Sequence, residues 1–220
     1  MTLTVSLLSF WGDERTIAES AWTSTGRGEG RSDDEVAALV RSLWSQGHGS
    51  PFEHVLYRFH ITCPRYIETQ LLRYRIQSAN CMSGRYRTMP TEFLSMPEDI
   101  EEIETAAGIS SIYKGVCGVA NAAYALAMQD AKKARDEGLI DNAAYKRYRE
   151  FIRGILPQAN LTEIVTVFNL RSLVNVWQQR LSSHAQPEIQ EIARQMFRCV
   201  EECRNLPNIL PIIRKELPTF

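Results

Sequence analysis

Eight consecutive residues constrain the fold of this chain more than any others. Val55, Tyr57, Phe59 and Ile61 alternate with Leu56, Arg58, His60 and Thr62. Successive side chains of a strand point to opposite faces, so this stretch is a strand with one covered face. A covered face needs a second layer packed on it. Residues 2–10 repeat the pattern, with Leu3, Val5 and Leu7 on one face. Residues 164–168 are short, β-branched and apolar, and read as a strand or buried segment.

Helical patterns fill most of the remainder. Val36, Leu39, Val40, Leu43 and Trp44 recur at helical spacing from about Asp33, and Gly47 can end that helix. Pro64 suits the first turn of a helix expected to run to about Gln77. Further helices are expected over 100–137 (ended by Gly138), 142–152, 172–181 and 187–203, with Pro207 and Pro211 breaking the tail. Gly26 to Gly30 reads as a loop and 88–98 as a Pro-punctuated connection. Strands and helices do not alternate strictly. The expectation is therefore an α+β fold, a twisted sheet with packed helices, in a single domain over 1–220. No internal repeat or flexible linker interrupts it.

Composition excludes several partners. Net charge is −1, too small for a bulk grip on nucleic acid or an anionic membrane. No run approaches the ~20 apolar residues of a membrane span. The N-terminal MTLTVSLLSFWGDER lacks the basic region of a signal peptide. Five cysteines with no CxxC pair fit reduced thiols, and a cytoplasmic location is expected. Cys199 and Cys203 share a helical face, but no histidine lies near to complete a metal site, so no metal is expected. The near-neutral charge hides 20 Arg against 5 Lys. Arg offers a planar fork that fits phosphate and carboxylate. Compositional bias explains the count equally well, so position has to decide.

Two segments set arginines among small polar residues. Residues 70–87 read QLLRYRIQSANCMSGRYR, where Arg73, Arg75, Arg85 and Arg87 bracket Ser78, Asn80, Ser83 and Gly84. On the expected helix, Gln70, Arg73 and Gln77 share a face and Arg75 points elsewhere. Ser83-Gly84-Arg85 offers backbone N–H groups, a hydroxyl and a guanidinium, the parts that bind a phosphate monoester. A solvated basic helix end accounts for the same residues. About 100 residues on stand Asn169, Arg171, Asn175 and Arg180, and Asn169 can cap the helix there. Arg153, beside Gly154 and an apolar run, is expected either buried with a partner or aimed into a cleft. No GxGxxG or GxxxxGK loop is present, which argues against a Rossmann or P-loop site. His48 and His54, in GHGSPFEH, read as loop histidines. None of the cysteines is marked as a nucleophile.

RYRIQSANCMS resembles the pattern Arg-His-Arg, seven residues, Ser, of the flavin-dependent thymidylate synthases. GHGSPFEHVLYRFHI resembles the histidine loop and following strand of that family, and NLRSLVNVWQQRLSSHAQPEIQ its C-terminal nucleotide-binding helix. The resemblance implies an α+β homotetramer with active sites between subunits. It implies transfer of a methylene group from 5,10-methylenetetrahydrofolate to C5 of dUMP, with NADPH-reduced FAD as the hydride source. By motif position, Gln70, Arg73, Ser83, Gly84, Arg85, Arg153 and Arg180 are implied to face dUMP. Ser50, Arg73, Tyr74, Arg75, Cys81, Asn169, Arg171 and Asn175 are implied to face FAD. His48 is implied to lie near the flavin and the access side for folate or nicotinamide. Arg180 and His48 are the candidate catalytic residues, Arg180 by stabilising negative charge on the pyrimidine. Two positions depart from the pattern: Tyr74 replaces His and Cys81 replaces Glu. These departures leave three outcomes open: dUMP methylation, a relative that hydroxymethylates dUMP or acts on another pyrimidine nucleotide, and a catalytically silent nucleotide-binding paralogue.

Overall fold

The alternation that opened the sequence reading lies in a strand whose odd residues are buried. A computed structural model describes residues 3–26, 30–97, 100 and 106–219. In it Val55, Tyr57, Phe59, Ile61 and Cys63 are fully buried, while Leu56 and Arg58 are exposed. Strands β1 (Thr4–Trp11), β2 (Leu56–Pro64), β3 (Gln77–Cys81) and β4 (Leu161–Asn169) pair in the order β1-β2-β4-β3. Eight α-helices accompany them among the described residues: α1 (Glu14–Trp22), α2 (Asp33–Ser45), α3 (Arg65–Leu71), α4 (Ala106–Asp136), α5 (Asn142–Ile152), α6 (Leu170–Arg180), α7 (Pro187–Cys203) and α8 (Leu210–Glu216). The fold is α+β. Residue 2 of the first expected strand, residues 27–29 of the expected glycine loop, residue 98 of the connection and residues 101–105 of the expected long helix lie outside the described residues.

Two compact units emerge, each assembled from separated stretches. The larger comprises Leu3–Ile61, Gln70–Asn80 and Ile164–Phe220. Its core is aromatic: Trp177 of α6 meets Phe197 of α7 edge-on, with ring centroids 5.0 Å apart. Helix α1 has no counterpart in the sequence reading, yet its start is local. Asp13 accepts from the Thr16 N–H at 2.9 Å, and the Thr16 hydroxyl accepts from the Asp13 N–H at 3.2 Å. This reciprocal cap satisfies two N–H groups that a helix start leaves orphaned. The buried carboxylate of Glu14 ties α1 to the chain before α8. It accepts from the N–H groups of Asn208 and Ile209 at 2.6 and 2.8 Å. The expectation that Pro211 breaks the tail is corrected: it occupies the first turn of α8, where the missing proline N–H costs no helical bond.

The helix after Pro64 is also corrected. It ends at Leu71, not near Gln77, and Gln77 instead opens β3. The Gln77 side-chain amide donates to the carbonyls of Leu71 at 2.6 Å and Tyr74 at 3.0 Å. Its amide oxygen accepts from Thr166 of β4 at 2.8 Å. One side chain thus serves the carbonyls at the helix end and fastens residues 72–76 as a turn. Gln70, Arg73 and Gln77 therefore do not share a helical face.

The smaller unit includes Thr62–Thr69 and Cys81–Glu163. Helix α4 buries Cys117, Asn121, Tyr124 and Met128 along one side. The Tyr124 hydroxyl accepts from the Met89 N–H at 3.0 Å, and the buried amides of Asn121 and Asn160 exchange hydrogen bonds at 3.1 and 2.6 Å. Helix α5, as expected from 142 to 152, is capped by Asp141, which accepts from the Ala144 N–H at 2.7 Å. Among the described residues, no helix is long and apolar enough to cross a membrane.

Candidate functional site

Several candidate site residues of the larger unit stand on the polar face of α6. Asn169 caps this helix, accepting from the Ser172 N–H at 2.8 Å. Leu170, Leu173, Val174, Val176 and Trp177 face the core. That seating turns Arg171, Asn175, Gln178 and Gln179 outward. Arg171 and Asn175 line two clefts.

The first cleft, of about 480 Å³, also holds Trp44, His48, Gly49, Gln178 and Glu216. The Trp44 indole N–H donates to both carboxylate oxygens of Glu216, at 3.0 and 2.9 Å, so α8 is fastened to the rim. Gly49 lets Arg171 approach the loop closely. A Cβ there would lie 2.8 Å from Arg171 Nε and 3.0 Å from its Cζ. The guanidinium lies across the loop and bonds the Glu53 carboxylate at 2.6 Å. Ser50 opens the single 3-10 turn that leads into β2.

The second cleft, of about 630 Å³, is lined by Arg73, Tyr74, Arg75, Ile76, Arg171, Ser172, Asn175, Gln179 and Arg180. Four guanidinium groups line it, with no carboxylate among the lining residues. Arg73 and Arg75 face the same cleft, because the 72–76 turn removes the helical periodicity that would have separated them. Arg180 Nε donates to the Tyr74 hydroxyl at 2.8 Å, and its guanidinium carbon lies 5.6 Å from the Tyr74 ring centre. Burial pushes the Tyr74 phenol above its ordinary value, further than the Arg180 hydrogen bond pulls it down. Tyr74 is therefore a neutral phenol at pH 7. Gln70 lies apart from this lining and donates to the Gln186 amide oxygen at 2.9 Å.

The smaller unit carries the Ser83-Gly84-Arg85 turn. The Ser83 hydroxyl accepts from the Arg85 N–H at 3.3 Å, and its carbonyl accepts from the N–H groups of Tyr86 and Arg87. Gly84 is buried, and a Cβ on it would lie 3.0 Å from both Arg153 Cδ and Met89 Cγ. Arg153 thus packs over the turn. It is exposed, and its Nε donates to the Glu150 carbonyl at 3.2 Å, so the buried alternative for this arginine is overturned. Arg85 Nε donates to the Glu150 carboxylate at 3.0 Å, which holds that carboxyl below its ordinary range. Cys81 is exposed as a residue but its thiol is partly covered. Burial, and then a hydrogen bond to the Glu68 carboxylate, push it up to about 12. Glu68 is buried, and its Oε1 has no hydrogen-bond partner. Among the described residues, no group of His, Cys, Asp and Glu is placed to hold a metal.

Within the larger unit, then, the structure gathers Arg73, Tyr74, Arg75, Arg171, Asn175 and Arg180 at one cleft and His48 at its neighbour. Within the smaller unit it gathers Ser83, Gly84, Arg85 and Arg153. Sequence reasoning missed the partners: Glu53, Glu68, Glu150, Gln179 and Glu216. Only Gln179 carries a local signal, lying four residues from Asn175 on the polar face of α6.

Comparison with known proteins identifies the family. The family model described as "Thymidylate synthase complementing protein" matches residues 6–204. The flavin-dependent thymidylate synthase of Pseudothermotoga lettingae is 33% identical over 191 residues, covering 86% of this chain and 80% of that one. Its counterpart in Kosmotoga olearia is 31% identical over 195 residues, covering 86% and 81%. A crystal structure of the UMP/dUMP methylase PolB from Streptomyces cacaoi, bound with 5-Br dUMP, shares the fold with a TM-score of 0.70 at 23% identity, covering 95% of this chain and 93% of that one. Matched by the family model over most of its length and by relatives more than 30% identical, the chain belongs to the flavin-dependent thymidylate synthases.

Proposed function

We propose that this protein converts dUMP to dTMP as a single catalytic domain over residues 1–220, taking the one-carbon unit from 5,10-methylenetetrahydrofolate. The observation that carries the reading is the second cleft. Four guanidinium groups around a space of about 630 Å³, with no carboxylate in the lining, fit an anionic dinucleotide and a uracil base. Bound FAD would supply the hydride that completes the methyl group, with NADPH as its reductant. Arg73, Arg75, Arg171 and Asn175 hold it, with Tyr74, Ser50, Asn169 and Cys81 in supporting positions. His48 stands at the adjoining cleft, on the access side for folate or nicotinamide.

Ser83, Gly84, Arg85 and Arg153 bind the dUMP phosphate by charge-assisted hydrogen bonds, and Gln70 and Arg73 hold the nucleoside. Arg180 faces the base. Its positive charge stabilises negative charge on the pyrimidine and so raises electron density at C5, the atom that attacks the one-carbon unit. The reaction needs no protein nucleophile, which suits a chain whose Cys63 and Cys81 thiols are pushed up to about 12, each by burial first.

The protein works as a cytoplasmic homotetramer. Helix α4 supports self-association: Ile109, Ile112, Val116, Val119 and Leu126 are all more than half exposed and recur at heptad spacing on one stripe. V116E/V119E is expected to lower the mass in sedimentation equilibrium, and an unchanged mass rules the stripe out as the contact.

The test of function is direct. Purified protein given dUMP, methylenetetrahydrofolate, FAD and NADPH is expected to release dTMP by mass spectrometry. A product heavier by one oxygen identifies hydroxymethylation, and no product overturns the reading.

A further inference from the structure

We infer that Tyr74 is a positioning residue: its hydroxyl, anchored by Gln179, fixes the Arg180 guanidinium through Nε and leaves the η nitrogens to face the nucleotide base. This assignment rests on the dUMP reading above and gives Tyr74 a task distinct from holding flavin.

The hydrogen-bond directions are forced by chemistry. Arginine has no acceptor, so Tyr74 accepts from Arg180 Nε at 2.8 Å. The single phenolic proton then goes to Gln179 Oε1 at 3.2 Å. The Gln179 amide nitrogen donates in turn to Asn175 Oδ1 at 3.0 Å. The relay Arg180→Tyr74→Gln179→Asn175 therefore has one sense, and it returns to the polar face of α6. The ring is placed by the core: Tyr74 meets the fully buried Phe168 edge-on, with centroids 6.4 Å apart and planes at 74°. The guanidinium also lies 5.6 Å from the Tyr74 ring centre, within cation–π range.

Using Nε as the anchor has a consequence for recognition. Nη1 and Nη2 form the far edge of the guanidinium fork, and among the described residues neither is hydrogen-bonded. A phenol orients the fork without neutralising it, whereas a carboxylate would cancel the charge that the base is meant to feel.

The test uses flavin-loaded protein, titrated with dUMP by calorimetry and assayed for kcat and KM. Y74F keeps the ring and removes the acceptor. Losing the acceptor of a charge-assisted hydrogen bond is expected to lower its dUMP affinity ~10-fold. Its flavin absorbance near roughly 450 nm is expected to remain, because the ring that supports the flavin is kept and only the hydroxyl is lost. R180K weakens binding as well, and Y74F added to R180K is expected to cost nothing further, because the two act through one contact. Y74H, at a pH where imidazole is neutral, restores an acceptor and is expected to recover part of the loss. Q179L probes the same relay from an exposed position should Y74F fold poorly, and is expected to weaken dUMP binding less than Y74F. Wild-type affinity in Y74F, additive losses in the double variant, or loss of flavin with dUMP affinity intact would each overturn the inference. Wild-type protein that binds no dUMP overturns the functional reading and this role together, which separates the two failures.

Discussion

Arg180 and Arg85 are both held by a protein acceptor, but the acceptors differ in kind. Arg180 leans on a neutral phenol, itself fastened to Gln179 and packed on Phe168. Arg85 is bonded to the ionised carboxylate of Glu150, at an exposed turn where Arg147 approaches the same carboxylate at 3.8 Å. A neutral partner fixes direction and leaves the charge undiminished. A carboxylate fixes position but offers the same oxygens that a phosphate would, so a phosphate has to compete for the fork. The first arrangement suits a group that must act on developing charge. The second suits a group that only grips and releases a dianion.

The largest effect that can break this contrast comes from truncating each arginine. R180A is expected to lower kcat by ~10²–10³, the usual cost of losing a donor aimed at developing negative charge. R85A is expected to raise KM for dUMP while leaving kcat within a few-fold, since the phosphate contact is the same in ground and transition states. Steady-state kinetics on both variants decides. Equal kcat losses would show that the two arginines do one job, and the contrast would fail.

The glycine beside each cluster sharpens the point with a smaller effect. A Cβ at Gly84 would press on Met89, which is buried in a cluster with Tyr124 and Met128, as well as on Arg153. G84A is expected to destabilise by ~1–3 kcal/mol, the range for overpacking, in chemical denaturation. A Cβ at Gly49 would meet only the outer part of the flexible Arg171 side chain. G49A is expected to leave stability nearly unchanged and to weaken flavin retention on dialysis instead, by displacing Arg171 from Glu53. A stability loss in G49A as large as that in G84A would contradict this account.

What was legible in the sequence divides along the same line. Strand β2 and helices α5 and α7 were readable, because their periodicity and their start signals (Asp141, Pro187) are local. The arginine clusters were readable by motif. The end of α3 was not, because Gln77 reaches back to Leu71 and across to Thr166 of another strand. The partners that decide what each arginine can do were not readable either. Arg180 meets Tyr74 across 106 residues, Arg171 meets Glu53 across 118, and Arg85 meets Glu150 across 65. Periodicity carries no information at those separations, and a motif names a residue without naming what orients it.

The smallest effect tests the carboxylate side of the contrast most directly. E150Q keeps the size of Glu150 and removes its charge, so Arg85 and Arg147 lose their shared anion. An exposed ion pair contributes little, so freeing Arg85 is expected to tighten dUMP binding only ~2–5-fold, with kcat unchanged. Acid is the wrong way to release it. The Arg85 hydrogen bond depresses the Glu150 carboxyl, so the pair's stabilisation is present above the unfolded carboxylate value and is lost only as pH falls through the lower folded value. A phosphate monoester has already passed from dianion to monoanion by then, near a pKa of ~6. Acid therefore weakens the ligand before it frees the arginine, and the amide substitution isolates the competition at neutral pH. The gain is expected to shrink with added salt, because both the ion pair and the phosphate contact are exposed and screened. Weaker dUMP binding in E150Q would mean that Glu150 aims Arg85 at the phosphate and does not compete for it, which would give the two arginines the same design after all.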